Sequence, residues 1–257
     1  MKTDIQHTQN PEARENAIRI GHLCKRFGNK VVLDDFNLEV YKEENLVVIG
    51  KSGSGKSVLI KCVIGLITPD SGSITINGKN IDDLDHEELD KMRTRIGFLF
   101  QGNAIYDSMT VRENLEFPLR RRWFKLLQPE IDGLVEEALD NVGLRHTIDM
   151  MPSELSGGML KRIALARTLI LKPEIILYDE PTSGLDPVTA REIENLILGM
   201  QRKYRITSVV ISHDMNCVKK VSDRVVLLLD GKCYAKGTYK EFRKSEDKNI
   251  KQFFEYG

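Results

Sequence analysis

The 257-residue sequence has no net charge to speak of: its 38 basic and 38 acidic side chains cancel. No global field therefore selects nucleic acid or an anionic membrane, and any such partner must be met by a local patch. Long hydrophobic runs are missing too. The longest aliphatic stretches, Val225-Val226-Leu227-Leu228-Leu229 and Leu46-Val47-Val48-Ile49, fall far short of the roughly 20 apolar residues that cross a bilayer, so the chain is expected not to span a membrane. Residues 1–16 are polar and lack the apolar stretch of a secretory signal, which leaves a flexible N-terminal arm as the expectation there. Cysteine is scarce. Cys24, Cys62, Cys217 and Cys233 show no C-x-x-C spacing, which fits neither a zinc site nor a disulfide framework, and they read as reduced thiols filling small apolar sites. Internal repeats and low-complexity tracts are also absent. What remains is a chain 41% hydrophobic and 30% charged, long enough for one sizeable core or for a core with a smaller inserted unit.

Between about residues 17 and 80 the pattern is one of short strands and turns: Ile18–Leu23, Phe36–Tyr41, Leu46–Gly50 and Gly72–Lys79. The outer segments alternate apolar and polar residues as antiparallel strands do, whereas the solid run Leu46–Ile49 predicts a strand buried on both faces. That strand leads straight into a glycine-rich loop, and the apolar spacing of Ser57–Leu66 predicts a helix ending at the turn cluster Thr68–Gly72. From about 102 to 165 the character is helical, notably over Pro129–Gly143. Strand and helix then alternate again, with Glu174–Asp179 and Thr207–Ser212 as strands and Pro187–Lys203 as a helix. The predicted class is α/β: a P-loop NTPase core with a mostly parallel sheet flanked by helices, an antiparallel β subdomain and an inserted α-helical subdomain. The expected divisions are the arm 1–16, the ATPase domain 17–244 with its helical part at about 102–165, and a tail 245–257.

Gly50-Lys51-Ser52-Gly53-Ser54-Gly55-Lys56-Ser57 fits G-x-x-x-x-G-K-[ST] in the strand-to-helix context that motif needs. Glycines let the backbone wrap a phosphate closely, and the helix N-terminus offers free N–H donors and a favourable dipole. Lys56 should then reach the β- and γ-phosphates of ATP, and the Ser57 hydroxyl should ligate Mg²⁺. The apolar strand Ile175–Tyr178 delivers Asp179 and Glu180 at its C-terminal end, where ligands sit in open α/β sheets. Asp179 is placed to hold Mg²⁺ and Glu180 to act as general base on the attacking water. Leu155-Ser156-Gly157-Gly158-Met159 opens a further helix whose free N–H donors make a second anion site. Capping by Ser156 explains the serine equally well, but not two consecutive glycines, which are costly in an early helical turn.

These motifs, in this order from about Ile18 to Gly237, resemble the nucleotide-binding domains of ABC transporters. Leu155–Met159 resembles the signature motif, Ser183–Asp186 the D-loop with Asp186, Gln101 the Q-loop glutamine that senses Mg²⁺, His213 the switch histidine on the γ-phosphate, and Phe27 the aromatic that stacks on adenine. Without that order, His213 would read as a surface or capping residue and Phe27 as core. The resemblance implies a dimer in which each ATP lies between one P-loop and the partner's signature, so Ser156, Gly157, Gly158 and Met159 act in trans. It further implies an integral membrane permease as partner, no nucleic acid, and a peripheral place on the cytoplasmic face of a bacterial inner membrane.

Met159 departs from the usual glutamine. With Ser153-Glu154, Lys161-Arg162, the segment Gln101–Leu119 and the tail Asn249–Gly257, it is similar to the Mla/Mce-type ATPases that power phospholipid or other lipid movement with lipid-binding accessory proteins. Oligopeptide-importer ATPases share the methionine but carry a longer C-terminal extension and a Gln-Arg pair at 161–162. A soluble ABC ATPase would bring tandem domains or a long coiled coil, and a P-loop kinase would have no use for Ser156–Gly158 with Gln101 and His213. The cluster Arg120-Arg121-Arg122-Trp123-Phe124-Lys125 reads either as a contact for headgroups or a permease helix, or as a solvated helix edge.

Overall fold

The computed structural model describes residues 14–120 and 125–254. The expected arm lies outside these residues except at positions 14–16, as do Arg121–Phe124 of the basic cluster and the last three positions of the tail.

The chain opens with two antiparallel strands, β1 (Asn16–Phe27) and β2 (Lys30–Tyr41), each twelve residues long. Both outrun the segments that alternation picks out. The reason is local: His22 and Asp35 adopt left-handed backbone (φ 52 and 50), the pairing register slips between Ile20 and Leu23, and the strands continue beyond the bulge with their alternation broken. β3 (Asn45–Ile49) follows, then α1 (Lys56–Val63), β4 (Ser71–Ile76), β5 (Lys79–Asn80), α2 (His86–Arg93) and β6 (Ile96–Leu99). A helical stretch holds α3 (Val111–Leu119), α4 (Gln128–Asn141) and α5 (Gly157–Leu169). The chain then alternates through β7 (Ile175–Asp179), α6 (Pro187–Tyr204), β8 (Thr207–Ile211), α7 (Met215–Val221), β9 (Arg224–Leu229) and β10 (Lys232–Gly237), and ends in α8 (Tyr239–Lys244) and α9 (Lys248–Lys251).

Two sheets result. One is antiparallel with order β2-β1-β4-β5; the other has order β10-β9-β3-β8-β7-β6 and is parallel except for β10. Every residue of β3, β7 and β8 is buried, as an apolar run covered on both faces requires. The pleat divides them. Leu46 and Val48 join α1 and the antiparallel sheet in one core, while Val47 and Ile49 join α5, α6 and α7 in another. A third core gathers Leu115, Val135, Leu139 and Ile163 from α3, α4 and α5. Helix α5 belongs to two of these bodies, giving Ile163 and Ala166 to the helical core and Ala164 and Leu165 to the sheet. Beyond α8, Ile250, Phe253 and Phe254 pack on the sheet core. Among the described residues no helix is long and apolar enough to cross a membrane.

Candidate functional site: a phosphate loop beside paired carboxylates

Neighbouring parallel strands place the chemistry. In the order β3-β8-β7-β6, the phosphate loop leaves β3, His213 follows β8, Asp179 and Glu180 end β7, and Gln101 follows β6. All four therefore lie side by side at the carboxyl ends of the strands, where open α/β sheets bind their ligands.

The loop is shaped by close approaches. A Cβ on Gly50 would come within 2.6 Å of the Leu228 carbonyl oxygen, and one on Gly55 within 2.7 Å of Val32 Cγ1. Gly55 also needs a φ of 105 that other residues rarely adopt. The first turns of α2, α3, α5 and α6 are capped by the side chains of Asp85, Thr110, Ser156 and Asp186, but α1 starts at Lys56 with no side-chain cap. Its N–H donors face the loop, which is the arrangement a phosphate group satisfies. The Ser54 hydroxyl is likewise buried there without a hydrogen-bond partner.

Lys56 is 7% exposed and its ammonium donates to the carbonyls of Gly50 (2.9 Å) and Lys51 (3.1 Å). Burial pushes its pKa down, and the carboxylates of Glu180 and Asp179 pull it back up. The Ser57 hydroxyl donates to Asp179 Oδ1 at 3.0 Å, so the loop and β7 meet through two hard oxygen donors. Glu180 is held in left-handed backbone (φ 53), its N–H donating to Ile211 O at 3.0 Å. A non-glycine residue in that region costs about 1–3 kcal/mol and persists where the surrounding structure holds it. The Glu180 carboxylate lies 2.8 Å from His213 Nδ1; it is 12% exposed and the imidazole 67%. Capping of α7 falls to the next residue, since Asp214 accepts from Asn216 N, so His213 is not spent on a helix end. Phe27 is 49% exposed and thus not core. It closes the β1–β2 hairpin, whose Val32 touches Gly55.

Leu155–Met159 stands apart from this group. Among the described residues its contacts run to α6 and to the helical core. Ser156 accepts from Met159 N at 3.2 Å, and Met159 packs on the helical core. A Cβ on Gly158 would sit 2.5 Å from Thr189 Cγ2, whereas one on Gly157 would meet nothing within 4 Å. Packing therefore accounts for Gly158, and Gly157 is left as the glycine that neither capping nor packing explains. Asp186 caps α6, accepting from Val188 N and Thr189 N, and the hydrogen bonds from Thr189 hold its pKa below the usual carboxylate range.

Motif reading takes Lys161 as a family mark and gives it no place in the site. It is 2% exposed and donates to the Gln101 carbonyl at 3.1 Å, in the field of Asp179. The available signal is its place on the buried face of α5, three and four residues before Ala164 and Leu165, where an ammonium is out of keeping.

A phosphate loop joined to a carboxylate through a hydroxyl, with a second carboxylate aimed beside it, serves the P-loop nucleoside triphosphatases. Comparison with known proteins narrows that class. The family model described as ABC transporter matches residues 33–183, and the chain belongs to that family as an ATP-binding, ATP-hydrolysing subunit. It is 37% identical over 239 residues to the intermembrane phospholipid transport system ATP-binding protein MlaF of Haemophilus influenzae, covering 93% of this chain and 90% of that one. It is 38% identical over 237 residues to the probable ribonucleotide transport ATP-binding protein mkl of Mycobacterium leprae, covering 92% and 68%. Among solved structures it is similar to a dimeric post-hydrolysis state of the ATP-binding cassette MJ0796 bound to ADP and Pi, with a TM-score of 0.78 and 31% identity over 86% of this chain and 98% of that one.

Proposed function

We propose that two copies of this chain hold ATP between the phosphate loop of one and Leu155–Met159 of the other, and hydrolyse it to drive a membrane permease that moves phospholipid or another lipid. The carrying observation is the convergence of Lys56, Ser57, Asp179, Glu180 and His213 at three adjacent strand ends. In each site Gly50–Ser57 wraps the phosphates and Lys56 turns from its two carbonyls to the β- and γ-phosphates. Phe27 stacks on adenine. Glu180 takes the proton of the attacking water as its oxygen bonds to the γ-phosphorus and the bridging oxygen departs with ADP. His213 contacts the γ-phosphate and keeps Glu180 oriented.

Ser57 and Asp179, joined by Gln101, would hold Mg²⁺. Two hard oxygen donors already 3.0 Å apart suit an ion that keeps several waters and borrows phosphate oxygens, and no cluster of three His, Cys, Asp or Glu competes among the described residues. When bound, the ion neutralises charge on the β- and γ-phosphates. Asp186 and the residues of the signature complete the site across the dimer.

Lipid as cargo is supported by the likeness to the phospholipid transport protein MlaF; lipid-binding accessory proteins and a place on the cytoplasmic face of a bacterial inner membrane belong to the same proposal. The mkl likeness favours ribonucleotide as the second reading. One experiment separates them. The Glu180→Gln chain, expressed with its neighbours in the membrane and trapped with ATP, should co-purify with a polytopic permease and retain phospholipid. Retained nucleotide other than ATP would favour the second reading, and undiminished hydrolysis by E180Q would overturn the role given to Glu180.

A further inference from the structure

The best-buried ammonium outside the phosphate loop belongs to Lys161, on the second turn of α5, at 2% exposure. Lysine is almost never buried so fully unless it is paired, and an apolar side chain would fill the same space without the desolvation cost. Its one hydrogen bond among the described residues is to the backbone carbonyl of Gln101, at 3.1 Å. Burial pushes its pKa down, and Asp179 is the charge that opposes the shift.

The segment that Lys161 grips is not self-supporting. Asn103 and Ala104 both adopt left-handed backbone (φ 62 and 55), closed by a tight Ala104 N–H bond to Gly102 O at 2.7 Å. Arg167, six residues further along α5, donates to the Ala104 carbonyl at 2.7 Å. Two cations on one helix thus hold two carbonyls of one strained turn, and that turn starts at Gln101.

We propose that Lys161 is a positioning residue for Gln101: from the signature helix it fixes the backbone on which the glutamine side chain is presented to the metal side of the site. The inference rests on the reading of Gln101 as a Mg²⁺ contact. Because Ser156–Met159 begin the same helix, any displacement of α5 that accompanies engagement of a partner's nucleotide is passed to Gln101 through this bond.

The test is the Mg²⁺ dependence of ATP hydrolysis at saturating ATP, measured on the full chain and on the variants K161M, K161R, Q101A and K161M/Q101A. K161M should raise the Mg²⁺ concentration for half-maximal activity about tenfold, as loss of a partner behind a metal ligand does, while metal-free ATP binding stays as in the unchanged chain. K161R, which keeps donor and charge, should restore the dependence, and the double variant should do no worse than Q101A. A shift with Q101A but none with K161M, or equal failure of K161M and K161R, overturns the inference and leaves the reading of Gln101 standing. No shift with Q101A removes that reading and the inference with it. Where K161M melts early, K161Q is read by the same curve; a lower melting temperature with unmoved Mg²⁺ dependence would mark Lys161 as packing alone.

Discussion

Gly158 and Gly157 are adjacent and do different work. A methyl on Gly158 would overlap Thr189 Cγ2, so G158A should destabilise the chain by about 1–3 kcal/mol, the usual cost of overpacking. Thr189→Ser removes that methyl while keeping the hydroxyl that bonds Asp186. The pair G158A/T189S should therefore recover most of the loss in denaturant melts, a coupling that independent sites would not give. The thiols make a second test at this scale. Cys62 and Cys217 are fully buried, and desolvation pushes their pKa values up to about 11 and about 12. Both stay protonated up to pH 9, so maleimide should label the native chain first at Cys24, more slowly at Cys233, whose thiol burial also pushes up, and reach all four only after unfolding, as read by mass spectrometry. The sequence makes Lys56, Ser57, Asp179 and Glu180 legible because their chemistry is bound to a local spacing. Lys161 escapes because its partner is sixty residues away, and the left-handed backbone of Glu180 escapes because no residue type announces it.

One side chain ties helix α3 to the loop before it. Asn114, fully buried, accepts from Tyr106 N and donates to the carbonyls of Tyr106, Met109 and Thr110. It thus satisfies the backbone of the loop that joins the Gln101 turn to the helical core. Asn114→Leu removes the side-chain partner of Tyr106 N and Met109 O, while the Tyr106 and Thr110 carbonyls keep their bonds from Met109 N and Asn114 N; it should cost about 1–3 kcal/mol, with faster hydrogen exchange at the amides of residues 104–110. Unchanged exchange would mean that the loop is held from elsewhere. Among the elements, β3, β7 and β8 are readable as unbroken apolar runs, since a strand covered on both faces has no polar side to show. The bulges of β1 and β2 are not, because a slip in pairing belongs to two strands at once. The double membership of α5 is equally hidden: a helix buried on two sides has no single apolar face for periodicity to find.

At the scale of the molecule, no hydrogen bond among the described residues joins the phosphate loop to Leu155–Met159. Gly50–Ser57 sits with Asp179, Glu180 and His213, whereas the contacts of Leu155–Met159, at the start of α5, run to Thr189 of α6 and to the helical core. If each ATP lies between the phosphate loop of one copy and Leu155–Met159 of another, as proposed, ATP turnover per chain should rise with chain concentration or on addition of the permease; turnover independent of concentration would count against it. The most direct measurement is complementation between two defective chains. Lys56→Ala removes the phosphate-loop ammonium. Gly157→Asp puts a carboxylate where a Cβ meets nothing of its own chain and where the first turn of a helix tolerates negative charge, yet where a partner's phosphates would be repelled. Each variant alone should be nearly inactive. Mixed, they form dimers that unite the intact phosphate loop of the G157D chain with the intact signature of the K56A chain, and ATP hydrolysis should return in the mixture. If G157D alone keeps full activity, or if the mixture stays as inactive as its parts, the composite site is contradicted.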